Sequence, residues 1–141
     1  ITITVDDPES AAQFYIDTFD MKRVGGTDWA NAKGVYLSDG TMNLALLKYK
    51  NDESAGDRGA NFVGIHHLGF WVDDVGETRK SLEKNGAKYW MGDVRHDGGF
   101  YEVKYFDPNG VVVDISEHGW KGATKEVMPI GSKDPSPDLS R

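Results

Sequence analysis

Hydrophobic and polar residues alternate over two short stretches of the chain that lie 67 positions apart. A period of two is typical of a β-strand with one buried face. The apolar positions are Ile1, Ile3 and Val5 in the first stretch and Leu68, Phe70 and Val72 in the second. Each stretch ends in a pair of aspartates. The alternation before these aspartates predicts a strand in each stretch.

A helix is predicted after each aspartate pair, because Asp caps helix N-termini and is favoured by the helix dipole. Pro8 suits the first turn of the first helix. Apolar residues then recur at helical spacing, more clearly in the first helix than in the second. They are Ala12, Tyr15, Ile16 and Phe19 in the first helix, and Val75, Thr78 and Leu82 form the weaker apolar side of the second.

Three further strands are predicted after each helix. They lie near Lys22–Gly25, Gly34–Leu37 and Met42–Tyr49 in the first copy, and near Lys88–Met91, Phe100–Phe106 and Val111–Ser116 in the second. Turn residues precede the last strand of each copy, as Ser-Asp-Gly and as Asp-Pro-Asn-Gly. The chain therefore contains a βαβββ unit twice.

The repeat divides the chain into four parts. We assign residues 1–50 to the first module, 51–64 to a charged linker and 65–118 to the second module. Residues 119–141 are rich in Pro and Ser towards their end, which predicts a loosely ordered tail whose start is anchored by Trp120.

Composition removes several functional classes. The net charge of −7 and the absence of a basic stripe disfavour nucleic acid and anionic membranes as partners. The chain has no cysteine, so His, Asp and Glu are the ligands available for a metal. With no spanning apolar run and no visible signal sequence, we expect a cytoplasmic protein.

Four features in order resemble the vicinal oxygen chelate superfamily: the paired units, VDDP at a helix start, FY in the first helix, and DPNG before the final strand. This superfamily includes glyoxalase I, methylmalonyl-CoA epimerase, extradiol dioxygenases and bleomycin resistance proteins. The resemblance covers about residues 1–118. It implies an α+β fold in which two βαβββ modules form a curved mixed sheet around a cleft, with the helices on the outer side.

Metal-binding members of the superfamily carry inward-facing ligands on the first and last strands of each unit. The resemblance therefore implies metal ligation by His67, and by Asp114 at the position where the family usually has Glu. Alternation supports a common inner face for both residues. The adjacent His66 is expected on the opposite, helix-facing or flanking side, in a structural role.

Two ligands hold a divalent ion poorly, so further donors are expected. The repeat places one ligand position just before Ile1, where the resemblance implies a histidine, and another at Ala45, which cannot coordinate. Asn43 faces the same way as Ala45 and is a substitute donor. Three ligands of this kind suit Fe(II) or Mn(II), with Zn(II) or Ni(II) as alternatives.

Lys104 stands ten residues before Asp114, where the ring-cleaving relatives have tyrosine. It is a candidate catalytic residue, as an oxyanion partner or proton donor, with a solvated strand-edge lysine as the alternative. Trp71 on the side of His67, and Trp29 in a loop at the mouth, are candidate cleft residues for a planar or hydrophobic ligand. Glu117 is a lesser alternative ligand.

The leading hypothesis is a small metal-dependent enzyme that chelates vicinal oxygens of an organic substrate. The ligand count favours a dioxygenase over a glyoxalase or lyase, whereas Lys104 in place of tyrosine counts against it. The main alternative is a metal-free binding protein, like the bleomycin resistance members, that sequesters an aromatic or cationic compound. A scaffold domain without a small-molecule role is a third hypothesis, and a homodimer is plausible because the superfamily often builds its cleft from two chains.

Overall fold

The computed structural model describes residues 1–124, and the remainder of the predicted tail, 125–141, lies outside the described residues. Its strands, numbered in chain order, are β1 (Thr2–Thr4), β2 (Lys22–Asp28), β3 (Ala32–Ser38), β4 (Asn43–Tyr49), β5 (Gly64–Trp71), β6 (Lys88–Met91), β7 (Val103–Phe106) and β8 (Val112–Ser116). The helices are α1 (Pro8–Phe19), α2 (Asp52–Ala55) and α3 (Val75–Lys84), with a 3₁₀ turn at Gly56–Arg58.

The strands form one open, curved sheet in the order β2-β3-β4-β1-β5-β8-β7-β6. In each half the first strand pairs in parallel with the last strand of its own unit, β1 with β4 and β5 with β8. The first strands of the two units, β1 and β5, pair antiparallel at the centre. The predicted α+β fold of two βαβββ modules in a mixed sheet is therefore confirmed.

Both long helices begin at the predicted aspartates. The side chain of Asp7 accepts hydrogen bonds from the backbone N–H groups of Glu9 and Ser10 at the start of α1. Asp74 accepts one from the N–H of Glu77 at the start of α3. These caps satisfy backbone donors that have no partner inside a helix, and so they determine where each helix starts.

Each helix covers the outer face of its own half of the sheet. Ala12 of α1 packs with the buried side chains of Leu37 and Leu46. Val75 of α3 packs with Val103 and Ile115. Because side chains alternate along a strand, the residues between these apolar positions project from the inner face, away from the helices.

Three details differ from the sequence-based predictions. The linker contains α2 and the 3₁₀ turn. The second strand after α3 starts at Val103 instead of Phe100, and Phe70 is half exposed on the outer side, where α3 does not cover it. None of the helices in residues 1–124 is long and apolar enough to cross a membrane.

Candidate functional site

Strand pairing brings His67, Lys104 and Asp114 together on the inner face of the second half of the sheet. Asp114 of β8 lies opposite Lys104 of β7 and Gly69 of β5. His67 lies one inner-face step before Gly69 along β5. These are the two residues predicted as metal ligands and the one predicted as catalytic.

Asp114 is the centre of this group, and its side chain is 1% exposed. Its Oδ2 lies 3.1 Å from Nε2 of His67 and 2.5 Å from Nζ of Lys104. Its Oδ1 is buried and has no hydrogen-bond partner within the described part of the chain. One carboxylate oxygen therefore contacts both basic side chains, while the other has no partner among residues 1–124.

Glu102 adds a second carboxylate to the group. It precedes Lys104 by two positions on the inner face of the same chain segment, and its Oε2 lies 3.2 Å from Nζ of Lys104. Its other oxygen accepts a hydrogen bond of 2.8 Å from the indole N–H of Trp120. We call His67, Glu102, Lys104 and Asp114 the charged cluster.

The expectation that His66 faces away from His67 is wrong. The pairing of β1 with β5 joins Thr2 to His67 and Ile3 to Ile65, so that His66 is the extra residue of a β-bulge. The bulge breaks the alternation of side chains, and both imidazoles are buried. Their Nδ1 atoms are 2.8 Å apart, and Nε2 of His66 lies 2.7 Å from the carbonyl oxygen of Ala55 in α2.

These contacts connect α2 with the inner face of the sheet through the two imidazoles. The chain of contacts ends on an oxygen acceptor at each side, the carbonyl oxygen of Ala55 and the carboxylate of Asp114. Burial lowers the pKa of His66. The two rings therefore fix one another's position beside Asp114.

Opposite charges in the cluster stabilise one another. Burial opposes ionisation of Asp114, but the hydrogen bond from His67 and the charge of Lys104 hold the pKa of its carboxyl below the ordinary value. Burial also opposes the charge on Lys104, yet Asp114 and Glu102 raise its pKa to about 12. Lys104 and the two carboxylates therefore lie together in a largely dry region, where their mutual attraction is strong.

The residues that follow β8 close over this face of the sheet, and we call residues 117–124 the cover segment. A Cβ atom added to Gly69 would lie 2.8 Å from the ring of Trp120, so the indole is packed directly on the β5 backbone beside Asp114. Further along, Ser38 donates a hydrogen bond to the carbonyl oxygen of Gly122. The cover segment therefore spans the inner face from β8 to β3.

The other predicted site residues form hydrogen bonds with the cover segment, belong to it, or lie elsewhere. Asn43 donates to the carbonyl oxygen of Lys121 at 2.7 Å, and Trp71 donates to that of Glu117 at 2.8 Å. Trp29 is 58% exposed beyond the end of β2, which three strands separate from β5. Glu117 accepts hydrogen bonds from the first N–H of α3 and from Tyr101.

A surface depression of about 530 Å³ lies between the end of α1 and the cover segment, and Phe19, Lys22, Ser38 and Gly122 are among its lining residues. None of the four residues of the charged cluster lines it. Trp120 instead lies beside the charged cluster, with its ring on Gly69 and its N–H donated to Glu102, and it narrows access to Asp114.

Sequence reasoning missed Glu102, Trp120 and Tyr49 as neighbours of the site. Glu102 has the same strand parity as Lys104, a signal that was available in the sequence. Burial raises the pKa of Tyr49 to about 12, and its ring lies 5.1 Å from that of His66. Tyr49 belongs to the first module and Trp120 to the segment after the second, so no local pattern links either residue to His67.

The residues that should hold a divalent metal, as arranged here, do not form a metal site. In the described residues no group of three or more His, Asp or Glu side chains is placed to hold an ion. Oδ2 of Asp114 and Nε2 of His67, two predicted donor atoms, are hydrogen-bonded to each other, and Lys104 holds the same oxygen. Ala45 is the counterpart of Asp114 in the first module. Ala45 pairs with Thr2 of β1, and Asp114 pairs with Gly69, the residue of β5 that corresponds to Thr2 in the repeat.

Solved structures with the same fold include three that illustrate the likeness. A variant of methylmalonyl-CoA epimerase from Streptomyces coelicolor, in complex with 2-nitronate-propionyl-CoA, is 20% identical with a TM-score of 0.65, covering 82% of this chain and 91% of its own. A hypothetical protein from Bacillus halodurans C-125 is 22% identical with a TM-score of 0.64, covering 92% and 94%. A methylmalonyl-CoA epimerase in complex with methylmalonyl-CoA and NH4+ is 19% identical with a TM-score of 0.65, covering 82% and 89%.

At these identities the likeness shows a common fold, not a common reaction. No curated protein is significantly similar to the sequence. A family model, in contrast, matches residues 1–115, which include both βαβββ modules almost to their end. The chain belongs to the Glyoxalase/Bleomycin resistance protein/Dioxygenase superfamily.

Proposed function

We propose that this protein is an enzyme of the vicinal oxygen chelate type that moves a proton next to a carbonyl group of a small organic substrate. The observation that supports the proposal is the charged cluster itself. It places two basic side chains, His67 and Lys104, around one buried carboxylate on the inner face of the sheet. Buried, perturbed ionisable groups of this kind are concentrated at functional sites.

The charged cluster suits a substrate whose negative charge increases during the reaction. Removal of a proton beside a carbonyl group produces an enolate, and a donor already aimed at its oxygen stabilises it without reorganisation. Nζ of Lys104 has hydrogen-bonding capacity beyond its contacts with Asp114 and Glu102, since an ammonium group has three donors. The proton passes to the carboxylate of Glu102, which keeps 26% of its side-chain surface exposed and returns a proton to the carbon after exchange with solvent.

Trp120 gives this reaction a sheltered environment. Its ring lies on Gly69 and its N–H is held by Glu102, so it keeps water from the inner face beside Asp114. Charge stabilisation by Lys104 and His67 is stronger when water is excluded.

The epimerases among the structural neighbours support this reaction class, because inversion next to a carbonyl group requires proton exchange at that carbon. Two of them are complexes with acyl-CoA compounds, methylmalonyl-CoA and 2-nitronate-propionyl-CoA. We therefore include acyl-CoA thioesters among the candidate substrates of this protein.

A metal-dependent enzyme, of dioxygenase or lyase type, is the second candidate. One observation favours it: Oδ1 of Asp114 is buried without a partner among residues 1–124, as expected for an atom that awaits a cation. A divalent ion such as Fe(II) or Mn(II) would polarise vicinal oxygens of the substrate. For Oδ2 to take part, Lys104 would have to leave it, so we derive no step through a metal.

Solvent deuterium exchange tests the proposal. The chelator-treated protein is incubated in D2O with a panel of methylmalonyl-CoA, other acyl-CoA thioesters and small 2-hydroxy and 2-oxo compounds, and deuterium uptake is followed by mass spectrometry. We expect exchange into at least one compound, and a roughly 100-fold loss of rate in Lys104→Met, the magnitude found when a donor to a developing oxyanion is removed. Lys48→Met, which removes a surface ion pair with Asp6, serves as the control.

Three other outcomes contradict the proposal. Ring opening of a catechol with O2 uptake, only after Fe(II) or Mn(II) is added, establishes the second candidate. Tight binding of an aromatic or cationic compound without turnover in either form establishes a sequestering protein. Deuterium exchange that is equally fast in Lys104→Met would show that Lys104 takes no part in the reaction.

We extend the proposal to a cytoplasmic protein that binds a small molecule and forms a homodimer, an assembly that the resemblance to the superfamily makes plausible. Light scattering coupled to size-exclusion chromatography measures the mass of the assembly directly. A mass of one chain, about 15.6 kDa, would refute the dimer.

A further inference from the structure

We propose that the ammonium group of Lys104 is the resident cation of this site and takes the position that a divalent metal would need between Asp114 and Glu102. The inference goes beyond the proposed function, because it concerns which cation the carboxylates hold and is measured by metal binding instead of turnover. It explains why the donors expected for a metal are in contact with one another.

Two strands hold Lys104 in this position. It lies directly opposite Asp114 in the pairing of β7 with β8, so the distance between the two side chains is determined by the sheet. Glu102 precedes it by two residues and has the same parity. The ammonium group is therefore enclosed by two carboxylates, 2.5 Å from Asp114 and 3.2 Å from Glu102, and the lysine side chain is only 19% exposed.

Without the ammonium group, the same residues would resemble a ligand set. Asp114 and Glu102 provide two carboxylates, and Nε2 of His67 lies 3.1 Å from the Oδ2 atom that Lys104 holds. A nitrogen and several oxygens of this kind suit Mn(II), Fe(II) or Zn(II). As placed in residues 1–124, these three side chains do not surround a common ion position, and Lys104 is the side chain that lies between the two carboxylates.

A metal and the ammonium group cannot both occupy this position. Metal–oxygen distances are about 2.0–2.6 Å, so an ion bound to Oδ2 would lie within a few ångströms of Nζ. At this short distance, two positive charges in a poorly solvated region repel one another strongly.

Titration with Mn(II), followed by electron paramagnetic resonance and calorimetry, tests the inference. We expect the unmodified protein to bind Mn(II) weakly, and Lys104→Met to bind one ion at least ~10-fold more tightly, since a like charge is removed from beside it. The gain should disappear when Glu102→Gln is added. Lys104→Arg keeps the charge and should show no gain, and Lys48→Met should behave like the unmodified protein.

Two results would overturn the inference. One is tight, stoichiometric Mn(II) binding by the unmodified protein that is lost in Asp114→Asn, and this experiment does not depend on how well Lys104→Met folds. The other is a Lys104→Met protein with an unchanged circular dichroism spectrum and no gain in affinity. Failure of the proposed reaction would alter neither measurement, so the two proposals are tested separately.

Discussion

Asp114→Asn is the substitution that most directly tests the energetics of the charged cluster. The change keeps the size of the side chain but removes its charge. His67 and Lys104 then face a neutral amide, and Glu102 is left as the one carboxylate of the charged cluster. Because the side chain of Asp114 is 1% exposed, water cannot replace the lost charge.

The expected loss follows from this burial. Removing one partner of a buried ion pair typically costs about 3–5 kcal/mol, because an uncompensated charge remains. Lys104 and Glu102 keep 19% and 26% of their side-chain surface exposed, and they remain paired with each other. This partial solvation places the expected loss at the lower end, about 3 kcal/mol in the free energy of unfolding.

Urea denaturation followed by far-ultraviolet circular dichroism measures this free energy. Asp6→Asn is the matched control, since Asp6 is 81% exposed and pairs with Lys48 at 3.3 Å on the surface. It should change the free energy of unfolding by less than about 0.5 kcal/mol. In the background of Asp114→Asn, Lys104→Met should cost less than it does in the unmodified protein, because the ion pair between these two side chains has already been removed.

The reasoning is refuted by either of two findings. A loss below about 1 kcal/mol for Asp114→Asn would mean that the pair is worth no more than a surface contact. Strictly additive effects of Asp114→Asn and Lys104→Met would mean that the two side chains are not coupled, since contacting residues normally show coupling energies of about 0.5–3 kcal/mol.

Three further substitutions test other parts of the structure. Gly69→Ala places a Cβ atom 2.8 Å from the ring of Trp120, and we expect a loss of about 1–3 kcal/mol with a red shift in tryptophan emission; an unshifted spectrum would contradict the packing. Glu117→Ala removes the acceptor of the Val75 N–H, and urea titration should show a loss of about 1–3 kcal/mol, whereas a neutral effect would argue against the contact. Asp7→Ala removes the cap of α1, whose hydrogen bonds hold the pKa of Asp7 below its ordinary value of 3.8. The difference in thermal midpoint from the unmodified protein should be present at neutral pH and shrink as pH falls below that value; a pH-independent difference would contradict the assignment.

Much of the fold could be predicted from local patterns that recur 67 residues apart. Alternating residues in β1 and β5, aspartate caps before α1 and α3, and a turn before β8 each reflect interactions between near neighbours in sequence. The duplication then indicated which strands correspond. These local preferences agree with one another, which is the condition under which sequence-based reasoning works well.

The environment of the site was predicted less completely. Parity placed His67 and Asp114 on one face, and the structure brings them within 3.1 Å. The alternation of side chains predicted the wrong side for His66, because the bulge in β5 depends on its pairing with β1, a strand of the other module. A regular period cannot indicate where a second strand will force an extra residue.

The sequence by itself determined the two units, their strand order along the chain and the inner-face position of His67 and Asp114, since these depend on local periodicity and capping. Only the tertiary structure decided that Lys104 lies between Asp114 and Glu102, and that Trp120 packs on Gly69 beside them. Those contacts join strands and segments far apart in the chain, and their strength comes from the exclusion of water that the assembled sheet provides.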